Sequence, residues 1–246
     1  GWDGTTASAS LAGTGTESDP YQIASGADLR YIRNQALAVG SGGAGNSFSG
    51  NYFILLTDVH LNEKAFSPIG RGSDAPFSGN LNGNGKTIDG LYLNGNNTDS
   101  IGLFGCITGG AVSDLTVVGT ILNANQYAGL LAGIVIGADI SGVTVYGSVS
   151  GVNNLGGVIG ALSTSPSTVT NCINHASVNA SSTSTASAGG VIGFEATYTG
   201  TSQITGCINY GAVTASGSYV GGIIAVLRNA SASGCYNYGD ITGTVN

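Results

Sequence analysis

Gly102-Leu-Phe-Gly105, Gly129-Leu-Leu-Ala132, Gly157-Val-Ile-Gly160, Gly190-Val-Ile-Gly193 and Gly222-Ile-Ile-Ala225 recur along the chain, their first glycines 27, 28, 33 and 32 residues apart. A second strand-like segment follows each one, and no helical periodicity lies between them. A repeat of this length is the signature of a solenoid, in which each unit buries its apolar face only by stacking on its neighbours.

The second half of the repeat sets a register. Leu91, Leu115, Val143, Cys172, Cys207 and Cys235 serve as anchors, spaced 24, 28, 29, 35 and 28 residues apart. Ile88, Val112, Ile140, Val169, Ile204 and Ala232 stand three residues earlier, and Leu93, Val117, Val145, Asn174, Asn209 and Asn237 two later. Ile121, Val149, Val178, Val213 and Ile241 follow at six later. Side chains alternate along a strand, so the anchor and the residue two later share one face. Gly95, Gly119, Gly147, Ala176, Gly211 and Gly239, four after each anchor, mark corners where a larger Cβ substituent would clash. The pattern reads as strand, loop, strand, tight corner, short strand. That is the triangular coil of a parallel β-helix, an all-β fold. Length varies at Ser163–Ser167 and Thr197–Gln203, as expected of loops on one side of a solenoid.

Residues 1–50 depart from the repeat and read as a cap: a strand at Tyr21–Ile23, a helix over Leu29–Leu37 opened by Ser25 or Asp28, and a Gly/Ser-rich loop at Gly40–Gly50. Strands are expected at Tyr52–Leu56 and Val59–Leu61. The cap is expected to be continuous with the β-helix of residues 51–246 in one structural domain, its helix covering an otherwise open sheet edge. Asp240-Ile-Thr-Gly-Thr-Val-Asn246 carries no recognisable cap, so the natural protein is expected to continue there or to associate end to end.

Charge is scarce and lopsided. Charged residues are 8% of the chain and net charge is −7; ten of thirteen acids and five of six bases lie in residues 1–114. Such a surface argues against nucleic acid and anionic membranes as partners. The chain has no methionine, no signal peptide and no apolar run long enough to span a bilayer, and is read as a segment of an exported protein.

Three columns emerge from the register. Cys172, Cys207 and Cys235 should stack inward as small apolar thiols. In-register strands lie about 4.8 Å apart, wider than the ~3.8 Å Cβ separation typical of a disulfide, which favours free thiols over a bridge or a metal site. Asn174, Asn209 and Asn237 form an inward amide column able to satisfy corner backbone groups. Tyr146, His175, Tyr210 and Tyr238 form an outward aromatic column, with Tyr92 and Tyr236 on the same strand face. Aromatic side chains on a hydroxyl-rich surface suit sugar rings or a protein partner; ordinary stacking that protects the corner is the plainer alternative.

Catalytic signals are weak. His60 and His175 lie far apart in the repeat frame, neither with a Ser, Cys or acid at suggestive spacing, and no zinc-protease, nucleophile-elbow or P-loop motif occurs. Asp89 and Asp114 fall one coil apart on opposite strand faces, a poor glycosidase pair. Asp58, Glu63, Asp74 and Asp99 read as solvated loop charges, Asn82-Gly-Asn-Gly85 as a turn, and no cofactor or metal is expected.

Trp2-Asp-Gly, Gly13-Thr-Gly with Asp19-Pro-Tyr-Gln-Ile, Ala27-Asp-Leu, Leu56-Thr-Asp, Pro68-Ile-Gly and Phe77-Ser-Gly-Asn-Leu-Asn-Gly-Asn-Gly-Lys-Thr-Ile resemble the front of bacterial surface proteins with GLUG repeats. Gly102-Leu-Phe-Gly is the best match to the name-giving motif and Gly222-Ile-Ile-Ala the weakest. The resemblance covers nearly the whole chain. It implies a right-handed parallel β-helix, export, and display at the cell surface or secretion. GLUG repeats occur in adhesin-like proteins and beside the catalytic domain of some immunoglobulin-cleaving metallopeptidases, and they bring no catalytic residues of their own. The resulting expectation is a noncatalytic, adhesin-like module that binds a glycan or a host or bacterial surface protein, or displays another domain. A polysaccharide-cleaving β-helix enzyme and a purely structural stalk are the alternatives.

Overall fold

The computed structural model describes residues 1–40, 42, 45–96, 98–217 and 219–243. Parts of the Gly40–Gly50 loop and Thr244–Asn246 of the expected open end lie outside the described residues.

The chain winds into a parallel β-solenoid of about seven coils, hydrogen-bonded into one 19-stranded and one 5-stranded sheet. One column shows the winding. Tyr52 pairs with Asn80, Asn80 with Ala111, Ala111 with Asp139, Asp139 with Thr168, Thr168 with Gln203 and Gln203 with Ser231, every pair parallel. Parallel pairing already starts within residues 1–50, where Tyr21–Ile23 lies against Phe53–Leu55.

The one helix among the described residues spans Gly26–Gly40, three residues beyond the expected end. Ser25 caps it: its Oγ accepts from the Asp28 N–H at 3.3 Å and donates to the Asp28 carboxylate at 2.9 Å. Leu29, Ile32 and Ala36, one stripe of the helix, are buried in the same apolar cluster as Phe53 and Leu55. Phe48 sits in that cluster too, edge-on to Phe53 at 5.1 Å, so the Gly/Ser-rich segment contributes an anchor to the core.

From Leu115 onward the register is the expected one. Val145 pairs with Val117 and Asn174, Asn174 with Asn209, and Asn209 with Asn237. The first coil is shifted. Leu81, not Ile88, is level with Val112; Ile88 is level with Val117, and Leu93 with Ile121. Two irregularities, between Asn82 and Lys86 and between Ile88 and Leu91, absorb extra residues that a uniform repeat does not anticipate. Leu91, rather than Gly95, therefore stands level with Gly119. A smaller offset affects the glycine segments. Leu155 pairs with Ala128, which sets Gly129 level with Gly156 instead of Gly157.

The corner glycines are explained by close approach more than by dihedral freedom. A Cβ on Gly211 would lie 1.9 Å from the Ala176 carbonyl oxygen, and one on Gly239 2.0 Å from that of Gly211. At Gly147, Gly211 and Gly239 the corner carbonyl of the preceding coil occupies the space a side chain would need, whereas Ala176 accommodates a methyl group.

The amide column closes the same corner. Asn174 Nδ2 donates to Ala176 O (2.8 Å) and Asn209 Oδ1 (2.8 Å), while its Oδ1 accepts from Ala176 N (2.9 Å). Asn209 repeats the pattern on Gly211 and passes it to Asn237 Oδ1 at 2.7 Å. Asn174 and Asn209 are fully buried, whereas Asn237 is exposed. Asn209→Ala should destabilise the fold by about 2 kcal/mol or more, because it strands buried donors and acceptors on both sides. Asn237→Ala, next to solvent, should cost less than about 1 kcal/mol. Urea denaturation midpoints of the two variants check this order.

Candidate functional site

The aromatic column is the most regular feature of the surface. Its residues follow the inward asparagines by one position and so point outward. Tyr146 and His175 stack with centroids 4.5 Å apart and planes 2° from parallel. His175 and Tyr210 follow at 4.8 Å and 7°, Tyr210 and Tyr238 at 5.2 Å and 14°. Tyr236 joins from the side, 6.5 Å from Tyr238. Tyr146, Tyr210, Tyr236 and Tyr238 are 43–66% exposed.

Stacking decides what the column offers. With rings face to face at the coil spacing, the inner faces are occupied by neighbouring rings, and solvent meets ring edges and phenolic hydroxyls. Tyr146 ends the row on one side, since its in-register neighbour is Val118. A shallow cleft of about 350 Å³ adjoins there, lined by Tyr92, Val118, Thr120 and Gly147 among others. Tyr92 itself is half-buried on that wall.

The cysteines point inward and are all free. Cys106, Cys172 and Cys207 are fully buried, and Cys235 partly so. Their thiols reach backbone carbonyls, a hydroxyl and the thiols of neighbouring coils; Cys207 Sγ lies 3.6 Å from Val169 O. Contact with the Cys172 thiol, together with burial, pushes the Cys207 thiol well up; burial does the same for Cys106 and Cys235. The same contact with Cys207 shifts the Cys172 thiol down, against the effect of its burial. With no disulfide and no metal-ligating cluster among the described residues, the four thiols behave as packing groups. No group of three or more metal-ligating side chains occurs among the described residues.

One pairing corrects the sequence reading. His60 does have an acid partner: its Nδ1 lies 2.8 Å from Asp89 Oδ2, because the two residues are level on adjacent coils. The shifted first coil hid this, and it also removes Asp89 from the one-coil relation to Asp114 expected from the sequence. His60 further lines a cleft of about 410 Å³ with Trp2, Asp3, Ser25 and Asp58. Asp58 is engaged structurally, accepting the Thr87 N–H at 2.8 Å.

Glu195 was not anticipated. It is fully buried on the strand Ile192–Thr197, a lone acid behind Gly190-Val-Ile-Gly-Phe. Oε1 accepts from the Thr197 N–H at 2.8 Å and from the Thr197 hydroxyl; Oε2 accepts the backbone N–H groups of Arg228 (3.0 Å) and Asn229 (2.7 Å). Burial alone would raise its pKa, but these donors outweigh it and hold the carboxyl below its ordinary 4.5. The carboxylate thereby ties one coil to the next. Because its folded-state pKa is depressed, its contribution to stability is present above pH 4.5 and is lost as the pH falls through the folded value.

No protein-family model matches the chain. A halomucin of Haloquadratum walsbyi is 30% identical over 145 residues, covering 55% of this chain and 2% of that protein. A candidate Gly-rich membrane protein of Evansella cellulosilytica is 32% identical over 131 residues, covering 49% of this chain and 14% of that protein. The chain thus spans a small share of either relative's length. Among solved structures, a candidate immunoglobulin A1 protease from Bacteroides ovatus superposes with a TM-score of 0.70 at 19% identity, covering 93% of this chain and 79% of that one. At that identity the likeness shows the fold, a β-solenoid. No helix among the described residues is long and apolar enough to cross a membrane.

Glu195→Gln should lower stability by about 1–3 kcal/mol at neutral pH, since an amide cannot accept from all of these donors. The difference from the parent chain should shrink as the pH is lowered through the acid range. Denaturation midpoints measured from pH 7 to pH 3 follow it, and a pH-independent difference would rule out the ionised carboxylate as the source.

Proposed function

We propose that this chain is a noncatalytic, surface-displayed module of a larger exported protein, and that it binds a glycan or a surface protein along the Tyr146–His175–Tyr210–Tyr238 column. One observation carries the reading. Four stacked rings stay substantially exposed on a half of the chain with almost no charge, although their mutual stacking would be served equally well by buried side chains. Tyrosine gives large contact area with few rotors to freeze, and its hydroxyl bonds polar partners at the rim.

The edge-outward geometry refines the contact. Along the column a ligand meets three phenolic hydroxyls and the His175 ring edge at successive coils, which suits an extended polymer or strand more than a single ring. At the Tyr146 end, where the rings stop beside the cleft at Tyr92 and Thr120, one ring face is not covered by another ring. Surface placement draws support from relatives whose names include a membrane protein and a halomucin, and from the GLUG-like motifs. The likeness to a candidate protease bears on fold alone.

Probing arrays of glycans and extracellular-matrix proteins with the purified chain tests the proposal. The expected result is saturable binding that falls at least tenfold in the Tyr146→Ala/Tyr210→Ala variant, with release of no product. The same variant should lose about 1–2 kcal/mol of stability from the missing ring pairs. Lost stability with unchanged binding would leave the column a purely structural ladder, and release of shortened saccharides would overturn the noncatalytic assignment.

A further inference from the structure

Arg228 is the only Lys or Arg beyond Lys86. Its guanidinium lies over the Phe194 ring, 5.1 Å from the centroid, and forms no ion pair among the described residues. Glu195, whose carboxylate accepts the Arg228 backbone N–H, forms no ion pair with its guanidinium. Both Glu195 oxygens are taken by Thr197 and by the backbone N–H groups of Arg228 and Asn229. The buried carboxylate thus fixes the backbone that carries the cation and leaves the guanidinium donors free.

Beside Arg228 opens a cleft of about 300 Å³, lined by Asn153, Asn154, Thr185, Ser187, Phe194 and Tyr219 together with Val226. An insertion builds it. Thr144–Gly156 runs as one unbroken strand, whereas the next coil splits into Ser177–Ala180 and Ser187–Gly189, with Ser181–Ala186 looped out between them. It adds to the length variation that the sequence indicated at Ser163–Ser167 and Thr197–Gln203.

The polar groups are positioned but not used up. Asn154 is 8% exposed; its Oδ1 accepts the Ser187 hydroxyl at 2.6 Å, while its Nδ2 donates to no group among the described residues. Asn153 is braced by the Ser187 N–H at 2.9 Å and reaches Thr185 Oγ1 at 3.4 Å. Tyr219 is 52% exposed and has no ring partner among the described residues, unlike the stacked tyrosines of the column. An asparagine amide held in place by Ser187, two hydroxyls, an open aromatic ring and a guanidinium without an ion pair among the described residues therefore surround one concave site.

Each part selects for the same ligand chemistry. Amides and hydroxyls bond the hydroxyls of a saccharide, an open aromatic ring packs against its apolar face, and a guanidinium takes a carboxylate in a two-pronged hydrogen bond. We propose that this cleft binds a carboxylate-bearing sugar residue, a uronic acid or its like, within an acidic polysaccharide. The proposal goes beyond the tyrosine column and does not depend on it.

Titration calorimetry with oligogalacturonate, its fully methyl-esterified counterpart and an acidic peptide of equal charge tests the assignment on the intact chain. Oligogalacturonate should bind, weaken with added salt, and lose at least tenfold in affinity in Arg228→Gln and in Tyr219→Ala. The ester and the peptide should bind at least tenfold more weakly. Tyr146→Ala/Tyr210→Ala should keep this binding, which separates failure here from failure of the column. Arg228 and Tyr219 are exposed, and matching denaturation midpoints will show that the two variants fold. Equal binding of the ester, preference for the peptide, unchanged affinity in Arg228→Gln, or no binding at millimolar oligogalacturonate would each overturn the proposal.

Discussion

Hydrogen bonds between coils in zero-offset parallel register are the constraint on which the rest of this structure depends. Each residue lies above its equivalent one coil earlier, so the chain is built from columns of like side chains at the strand spacing. Valine sits over valine in the core, amide over amide at the corner, thiol over thiol, and ring over ring outside. The same constraint selects glycine where the corner carbonyl of one coil fills the Cβ position of the next, as at Gly147, whose Cβ would come within 1.8 Å of Gly119 O.

Columns of identical groups help or harm according to chemistry. Stacked amides satisfy one another because each has both donors and an acceptor. Stacked charges would repel without any way to relax, which accounts for a repeat half holding only Asp139, Glu195, Arg228 and Asp240 as charged residues. Asp139 and Glu195 stand alone in their columns and are tied to neighbours. Asp139 accepts the Thr168 hydroxyl at 2.6 Å, and Glu195 accepts backbone donors from the following coil. The Arg228 guanidinium departs from that rule, which is what draws attention to its cleft.

Much of this was legible in the sequence because a constant coil length turns spacing into contact. From Leu115 onward the inward and outward columns follow from alternation alone, including the three cysteines, the three asparagines and the four stacked rings. The first coil was not legible, since the irregularities around Asn82–Lys86 and Ile88–Leu91 add residues without adding a column. The His60–Asp89 pair was lost with it. The cleft beside Arg228 was hidden for a related reason: anchors on Cys172 and Cys207 register the extra length between them but not that most of it loops out at Ser181–Ala186. Glu195 carried a faint signal, as the one acid inside an apolar glycine-led segment. Besides Thr197, its partners came from backbone 33 and 34 residues away, which no local pattern reports.

Distances along one outward column test the central claim most directly. Spin labels placed pairwise at Tyr52, Ala111, Thr168 and Ser231, in a chain whose four native cysteines are replaced by alanine, can be read by pulsed electron–electron resonance. Zero-offset stacking predicts separations that rise linearly by about 4.8 Å per coil, reaching about 29 Å over the six steps from Tyr52 to Ser231. A separation that fails to grow with coil number, or that scatters about no single increment, would contradict the stacked β-solenoid and every column derived from it.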